Sequence, residues 1–336
     1  MKKKLKSFLF LLIFIFVAIF VSNFFIFEIK KFEREISKLY LAGFLVSLPK
    51  EEEKNIELLF VGDIMLDRGV KYMVEKYGKG DYKFPFLKIA DYLKETDILF
   101  GNLEGPISDK GKKVGSIYSF RTEPQAIEGL KFAGFDILSM ANNHVFDYGR
   151  EAMEDSFKRL KESEIEVLGG GFNEKEACEP LIKELKGTKI AFLAFTNLGS
   201  PYWSAGKEKS GICWLEKEKM EEIIQKAKEK ADIVVVSLHF GEEYFSTPTE
   251  FQVSISHVAI DAGADLIVGH HPHVIQEIER YKDGWIAYSL GNFIFDQKFS
   301  EKTMKGLMLK VLIENSKIKE VMPIEFKINE FYQPEI

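Results

Sequence analysis

Cysteine, proline and surplus positive charge are all scarce in this chain, and each scarcity excludes a class of protein. Two cysteines among 336 residues, Cys178 and Cys213, are too few for a disulfide-stapled scaffold or an all-cysteine zinc site. Whether they bond depends on an oxidising compartment and on their separation in space, and the reading here favours free thiols. Ten prolines and a hydrophobic content of 46% exclude a disordered linker and leave room for one large ordered domain. Residues 1–38 hold eight Lys/Arg against three Glu, which leaves 38 basic and 49 acidic side chains for the remainder. A body with that balance lacks the basic surface that nucleic acid demands, so no nucleic-acid partner is expected. A phosphate-cradling loop is missing as well. Gly169, Gly170 and Gly171 follow the apolar run IEVL without the Lys and Ser/Thr of such a loop, and read as a flexible strand exit.

Long apolar runs are absent except at one place. Residues 1–6 are basic, and residues 7–27 are unbroken apolar or small side chains, about the 20 residues a helix needs to cross a bilayer. The run ends in FVSNFFIF, bulky where a cleavable signal peptide has small residues, so an uncleaved signal anchor is expected. Lysines on both flanks weaken the orientation signal; the expected arrangement is a short cytoplasmic segment (1–6), a single-pass anchor in the cell membrane (7–27), a membrane-proximal stalk (28–55) and an extracytoplasmic globular domain (56–315). Residues 316–336 are expected as an extension packing on that domain.

From Ile56 onward the chain alternates. Apolar runs such as IELLFVG, DILFGN, FDILSMA, KIAFLAF, DIVVVSL, ADLIVG and WIAYSLGNFIF alternate with helical periods such as FLKIADYLKE, EAMEDSFKRLKES and LEKEKMEEIIQKAKEKA. Continuous rather than alternating hydrophobicity marks strands covered on both faces, hence an α/β fold with helices outside the sheets. TPTEFQVSISHVAIDAGAD reads as a packed helix with Thr247 as its cap and Pro248 in its first turn. This assigns His257 to structure rather than chemistry.

Histidine is also scarce, yet five of the six lie between His239 and His273, four of them at the ends of apolar runs and three of those in the string GHHPH. Asp63, Asn102 with Glu104, Asn143 with His144, His239, and His270, His271 and His273 each follow the carboxyl end of a predicted strand, where α/β sheets bind ligands. Imidazoles gathered with carboxylates and carboxamides are divalent-metal chemistry. Arg121, in SFRTEP, is a candidate for holding a phosphate or carboxylate and equally a surface ion pair. Glu242 stands as ligand or solvated charge, and Asn292 as substrate contact or turn residue.

The strings GDIML, GNLEGPI, ANNHVFDYG, HFGEEY, DAGADLIVGHHPHVIQ and YSLGNFIFD together resemble the CapA family of capsule and poly-γ-glutamate biosynthesis proteins, over roughly residues 56–313. That family is similar in turn to the calcineurin-like metallophosphoesterases. The resemblance implies a four-layer α/β/β/α sandwich with one or two divalent ions (Mn, Mg, Zn or Fe) at one sheet edge. It matches Asp63, Asn143 with His144, His239 and the GHHPH run to that superfamily's metal and catalytic motifs. Read with them, Glu104, His271 and His273 complete the expected metal ligands with Asp63, Asn143 and His239, His144 is the expected general acid with Asp147 fixing its tautomer, and Asn102, Arg121, Asn142, Glu242, His270 and Asn292 are the expected residues around the substrate. Two departures stand out. Met65 occupies the place of the first motif's histidine, and GNLE replaces a bridging aspartate, so that Glu104 or Asn102 must substitute. Three functions follow as expectations: a capsule-polymer component working on an anionic polymer with membrane subunits of a synthase, a stand-alone phosphoesterase acting on a phosphorylated substrate, or a scaffold without turnover.

Overall fold

The computed structural model describes residues 19–39 and 55–336, and the chain divides into two units, Met1–Glu53 and Lys54–Ile336. In the first, residues 19–39 form a helix, α1, with exposed side chains. Among the described residues no helix is long and apolar enough to cross a membrane. Residues 7–18 of the expected anchor and 40–54 of the expected stalk lie outside the described residues.

The second unit runs β1 (Ile56–Ile64), α2 (Arg68–Lys76), α3 (Ala90–Leu93), β2 (Ile98–Leu103), α4 (Ala126–Ala133), β3 (Ile137–Ser139), α5 (Gly149–Glu162), β4 (Glu166–Leu168), β5 (Gly170–Gly171), α6 (Glu174–Cys178), β6 (Leu181–Leu185), β7 (Thr188–Thr196), β8 (Gly211–Ile212), α7 (Lys217–Lys228), β9 (Ile233–His239), α8 (Glu250–Asp261), β10 (Leu266–His270), β11 (Ile278–Tyr281), β12 (Gly284–Ala287), β13 (Asn292–Ile294), β14 (Lys305–Glu314), β15 (Lys317–Ile328) and β16 (Pro334–Glu335). One sheet has the order β16-β15-β14-β1-β2-β3-β4, with β13 against β1; the other has β11-β12-β10-β9-β7-β6. Alternate residues of a strand face opposite sides, which sorts the core into three layers of side chains. Leu58 and Phe60 of β1 meet Phe100, Phe192, Val235 and Val268 between the sheets. Their neighbours Leu59 and Val61 pack outward with Val70, Leu130 and Leu160 of α2, α4 and α5. On the far side Val234 and Ile267 pack with Ile224 of α7 and Ala259 of α8. The layers therefore run helix, sheet, sheet, helix. Truncating a central side chain such as Phe60, fully buried, is expected to cost about 3–5 kcal/mol.

Several elements differ from expectation for identifiable reasons. WIAYSLGNFIF is two strands in two sheets: β12 pairs with β10, and β13 pairs with β1. The crossing needs Gly62, where a Cβ would stand 1.9 Å from Gly291 O. That close approach, with Asp63 N donating to Gly291 O at 3.0 Å, sets Asn292 beside Asp63. The cap of α8 is Thr249, not Thr247: its hydroxyl accepts from Gln252 N at 3.2 Å while Gln252 Oε1 accepts from Thr249 N at 3.0 Å. The Gly169–Gly171 stretch is packed rather than loose, since a Cβ on Gly170 would meet the Phe157 ring at 2.4 Å. FLKIADYLKE yields only the four-residue α3. Residues 316–336 pack on the domain through β15, which pairs along β14 and extends the first sheet. Cys178 and Cys213, expected as free thiols, form a disulfide across a sequence separation of 35. Gly170–Gly171 pairs with Gly211–Ile212 and so carries Cys213 to the end of α6.

Candidate metal centre

Strand register assembles the site. Across the first sheet Asn292, Asp63, Asn102 and Ser139 stand in line on β13, β1, β2 and β3; across the second, Thr196, His239 and His270 do so on β7, β9 and β10. The two lines meet at the carboxyl ends of the strands. Asp63 Oδ1 accepts from Asn102 Nδ2 at 2.8 Å and lies 3.6 Å from His270 Nδ1. Its Oδ2 accepts from His271 N at 3.2 Å and lies 3.4 Å from His273 Nδ1. Asn102 Nδ2 also lies 3.2 Å from His239 Nδ1, and His239 Nε2 lies 2.8 Å from Asn143 Oδ1. Glu104 Oε1 is 4.0 Å from His239 Nε2, and its Oε2 is 3.9 Å from His144 Nε2. Asp63, Glu104 and His239 form one group whose donor atoms lie within 4.8 Å of one another, and Glu243, His271 and His273 form a second. The His239 and His271 ring centres are 4.9 Å apart, so the groups adjoin.

Charge is unevenly held. Burial alone would raise the Asp63 carboxyl, yet His270 and His273 keep it well below the usual carboxylate range. Burial, then the neighbouring Asp63, pushes Glu104 well above that range. Burial, then the charge of His273, brings His271 down to about 3; His239 is lowered by burial and by His271. These two imidazoles keep their lone pairs at neutral pH. Both carboxylate oxygens of Glu104, both ring nitrogens of His270 and Nδ1 of His271 are buried with no hydrogen-bond partner among the described residues. Each such orphan costs about 1–3 kcal/mol. A cation among them would remove that cost, and mixed carboxylate and imidazole donors suit Mn, Zn, Fe or Mg. The residues fit a divalent ion.

The family model described as bacterial capsule synthesis protein PGA_cap matches residues 57–297. The chain belongs to this family. Relatives include the capsule biosynthesis protein CapA of Bacillus anthracis, 36% identical over 285 residues, covering 82% of this chain and 69% of that one. The PGA biosynthesis protein CapA of Bacillus subtilis (strain 168) is 34% identical over 270 residues, covering 79% and 70%. Among solved structures, a hypothetical protein from Thermus thermophilus superposes with a TM-score of 0.52 at 15% identity, covering 81% of this chain and 99% of that one. That likeness is one of fold.

Within this PGA_cap domain the residues singled out by sequence fall into three sets. Asp63, Glu104, Asn143, His239, His270, His271 and His273 converge as described. A second set positions them. Asn142 Oδ1 accepts from His144 N and its Nδ2 donates to Leu103 O, Asn292 Oδ1 accepts from His273 Nδ1–H at 2.9 Å, and Asp147 Oδ2 accepts from His144 Nδ1–H at 2.7 Å. Arg121 and Glu242 stand apart. The Arg121 fork donates to the carbonyls of Lys110 and Gly111, and Glu242 is exposed on its loop. Met65 is buried with its sulfur accepting from Asp67 N at 3.2 Å, turned into the helix-side core. Sequence reasoning missed Glu243, adjacent to the residue it chose, because the turn between Gly241 (φ 94°) and Tyr244 (φ 68°) decides which of two carboxylates faces His271. His257 is paired with Glu279 and stacked on Tyr281, away from the cluster.

Proposed function

We propose that this PGA_cap member serves poly-γ-glutamate capsule biosynthesis. In this reading residues 7–27 anchor it in the cell membrane beside the membrane subunits of a polymer synthase. Its extracytoplasmic domain holds one or two divalent cations (Mn, Mg, Zn or Fe) against an anionic polymer or a phosphorylated substrate. The observation that carries the reading is the buried Glu104 carboxylate, both oxygens orphaned, set between His239 and His144 in a chain 34–36% identical to the two Bacillus CapA proteins. Asp63, Glu104, Asn143 and His239 would hold one ion, and Glu243, His271 and His273 a second. Such an ion supplies Lewis acidity and lowers the pKa of a bound water towards about 7. His144, its Nδ1–H fixed on Asp147, keeps Nε2 towards the cluster; once protonated there as the imidazolium, it would hand that Nε2 proton to a leaving group. The disulfide supports an oxidising compartment outside the membrane.

The His144–Asp147 pair also favours a second reading, a stand-alone metal-dependent phosphoesterase; the diversion of Met65 favours a scaffold that has lost turnover. The full chain, expressed in a capsule-forming Bacillus strain lacking its own CapA, should restore cell-bound polymer, and His239→Ala should abolish that restoration at equal protein level. Restoration by His239→Ala would remove the metal cluster from the function. No restoration, together with phosphoester hydrolysis by the purified chain, would favour the second reading.

A further inference from the structure

Beside the cluster lies a cavity of about 430 Å³, walled in part by His144, His273, Glu243 and Arg68. Arg68 is the only lysine or arginine on that wall among the described residues, which is otherwise lined by aromatic rings, carboxylates, carboxamides, imidazoles and hydroxyls. Its backbone is left-handed, with φ 51°, a conformation costing a non-glycine residue on the order of 1 kcal/mol or more, and such outliers gather at functional sites. Asp296 holds the side chain. One carboxylate oxygen accepts from Arg68 Nε at 3.1 Å and from Gly69 N at 2.9 Å, and the other accepts from Nη2. Gly69 is needed there, because a Cβ would stand 2.7 Å from Asp296 Cβ. The guanidinium lies 4.8 Å from the centre of the Phe120 ring, and that ring is 4.1 Å from the His144 imidazole. One edge of the fork is thus clamped next to the general-acid candidate. Nη1 has no partner among the described residues, and the side chain is 33% exposed.

We propose that Arg68 recognises an oxyanion of the substrate and sets its position relative to the metal cluster. The oxyanion is a carboxylate of a glutamyl polymer or a phosphate; the choice between them rests on the function proposed above, whereas the anion site does not. A planar fork already oriented by Asp296 and Phe120 loses little freedom on binding a second oxyanion, which a flexible lysine does not match.

The test is calorimetric titration of the full metal-loaded chain with inorganic phosphate and, separately, with poly-γ-glutamate, on wild type, Arg68→Gln, Arg68→Lys and Arg121→Ala, with metal content and melting temperature measured on each. Arg68→Gln should weaken binding about tenfold or more, and Arg68→Lys by less, at unchanged metal content. Arg121→Ala should bind as wild type does. The inference is overturned if Arg68→Gln binds both probes as tightly as wild type, if wild type binds neither, or if the loss follows loss of metal. Should Arg68→Gln fail to fold, Arg68→Lys decides, since it keeps the charge and removes the fork. Phosphate bound through Arg68 with no polymer binding would leave this inference standing and remove the polymer reading.

Discussion

Breaking the Cys178–Cys213 bond should lower the stability of the domain by an amount the structure lets us work out. The bond closes a separation of 35 residues that contains β6, β7 and β8. Constraining a loop of that size removes roughly 13 cal/mol/K from the unfolded chain, about 4 kcal/mol at 25 °C. Both sulfurs sit in the helix-side core of the second sheet, so a double Cys→Ala variant adds a small packing loss to the entropic one. A domain of about 280 residues gains on the order of 0.6 kcal/mol/K of entropy on unfolding, which converts the loss to about 6–7 °C in melting temperature. The assay is a melting scan with and without reductant, alongside a count of alkylatable thiols in denatured, unreduced protein. The effect should centre on the α6–β8 corner, where Cys213 N donates to Gly169 O at 2.9 Å, and leave metal content intact. Two free thiols per chain, or a reduced protein melting within about 1 °C of the oxidised one, would refute this account of the corner.

Two further outcomes follow from the site and from α8. Burial pulls the His273 imidazole down, but Glu104 and Asp63 outweigh it and hold it up at about 9. Its contribution to the metal-free fold is therefore fully present below about pH 6.5 and lost as pH rises through 9. Because a cation must displace that proton, metal affinity at the Glu243–His271–His273 group should rise with pH, by up to about tenfold per unit between roughly 6.5 and 9. Metal titrations across that range check it, and an affinity that is flat or falls with pH contradicts it. At the start of α8, Thr249→Ala removes one half of the capping box and should cost about 1 kcal/mol, read from denaturant unfolding; Thr247→Ala should cost far less.

Much of the site was legible because both lines of ligand-type residues end strands buried on both faces. Asp63 and His239 close apolar runs that have no solvent-facing alternation, so the polar residue marks the strand's end. What escaped depends on events that no local pattern encodes. Arg68 enters the cavity through a left-handed backbone, and Glu243 rather than Glu242 faces the histidines because of a turn. The disulfide depends on β5 pairing with β8, a long-range contact. The long strand β15, KIKEVMPIEFKI, is exposed at half its positions and rich in charge, as suits a strand near a sheet edge, so its polarity hid the strand within the extension. The split of WIAYSLGNFIF between two sheets likewise followed from the close approach of Gly62 and Gly291 rather than from hydrophobicity.

Remote parts of this polypeptide are held to converge on a cation, and metal analysis of the full chain, purified without added metal or chelator, tests that most directly. Elemental analysis should find stoichiometric divalent ion, one or two per chain, in the wild type, and a marked loss in Asp63→Ala and His239→Ala with the melting transition still cooperative. A folded wild-type chain that carries no divalent ion and takes up none of Mn, Zn, Fe or Mg on titration would contradict it.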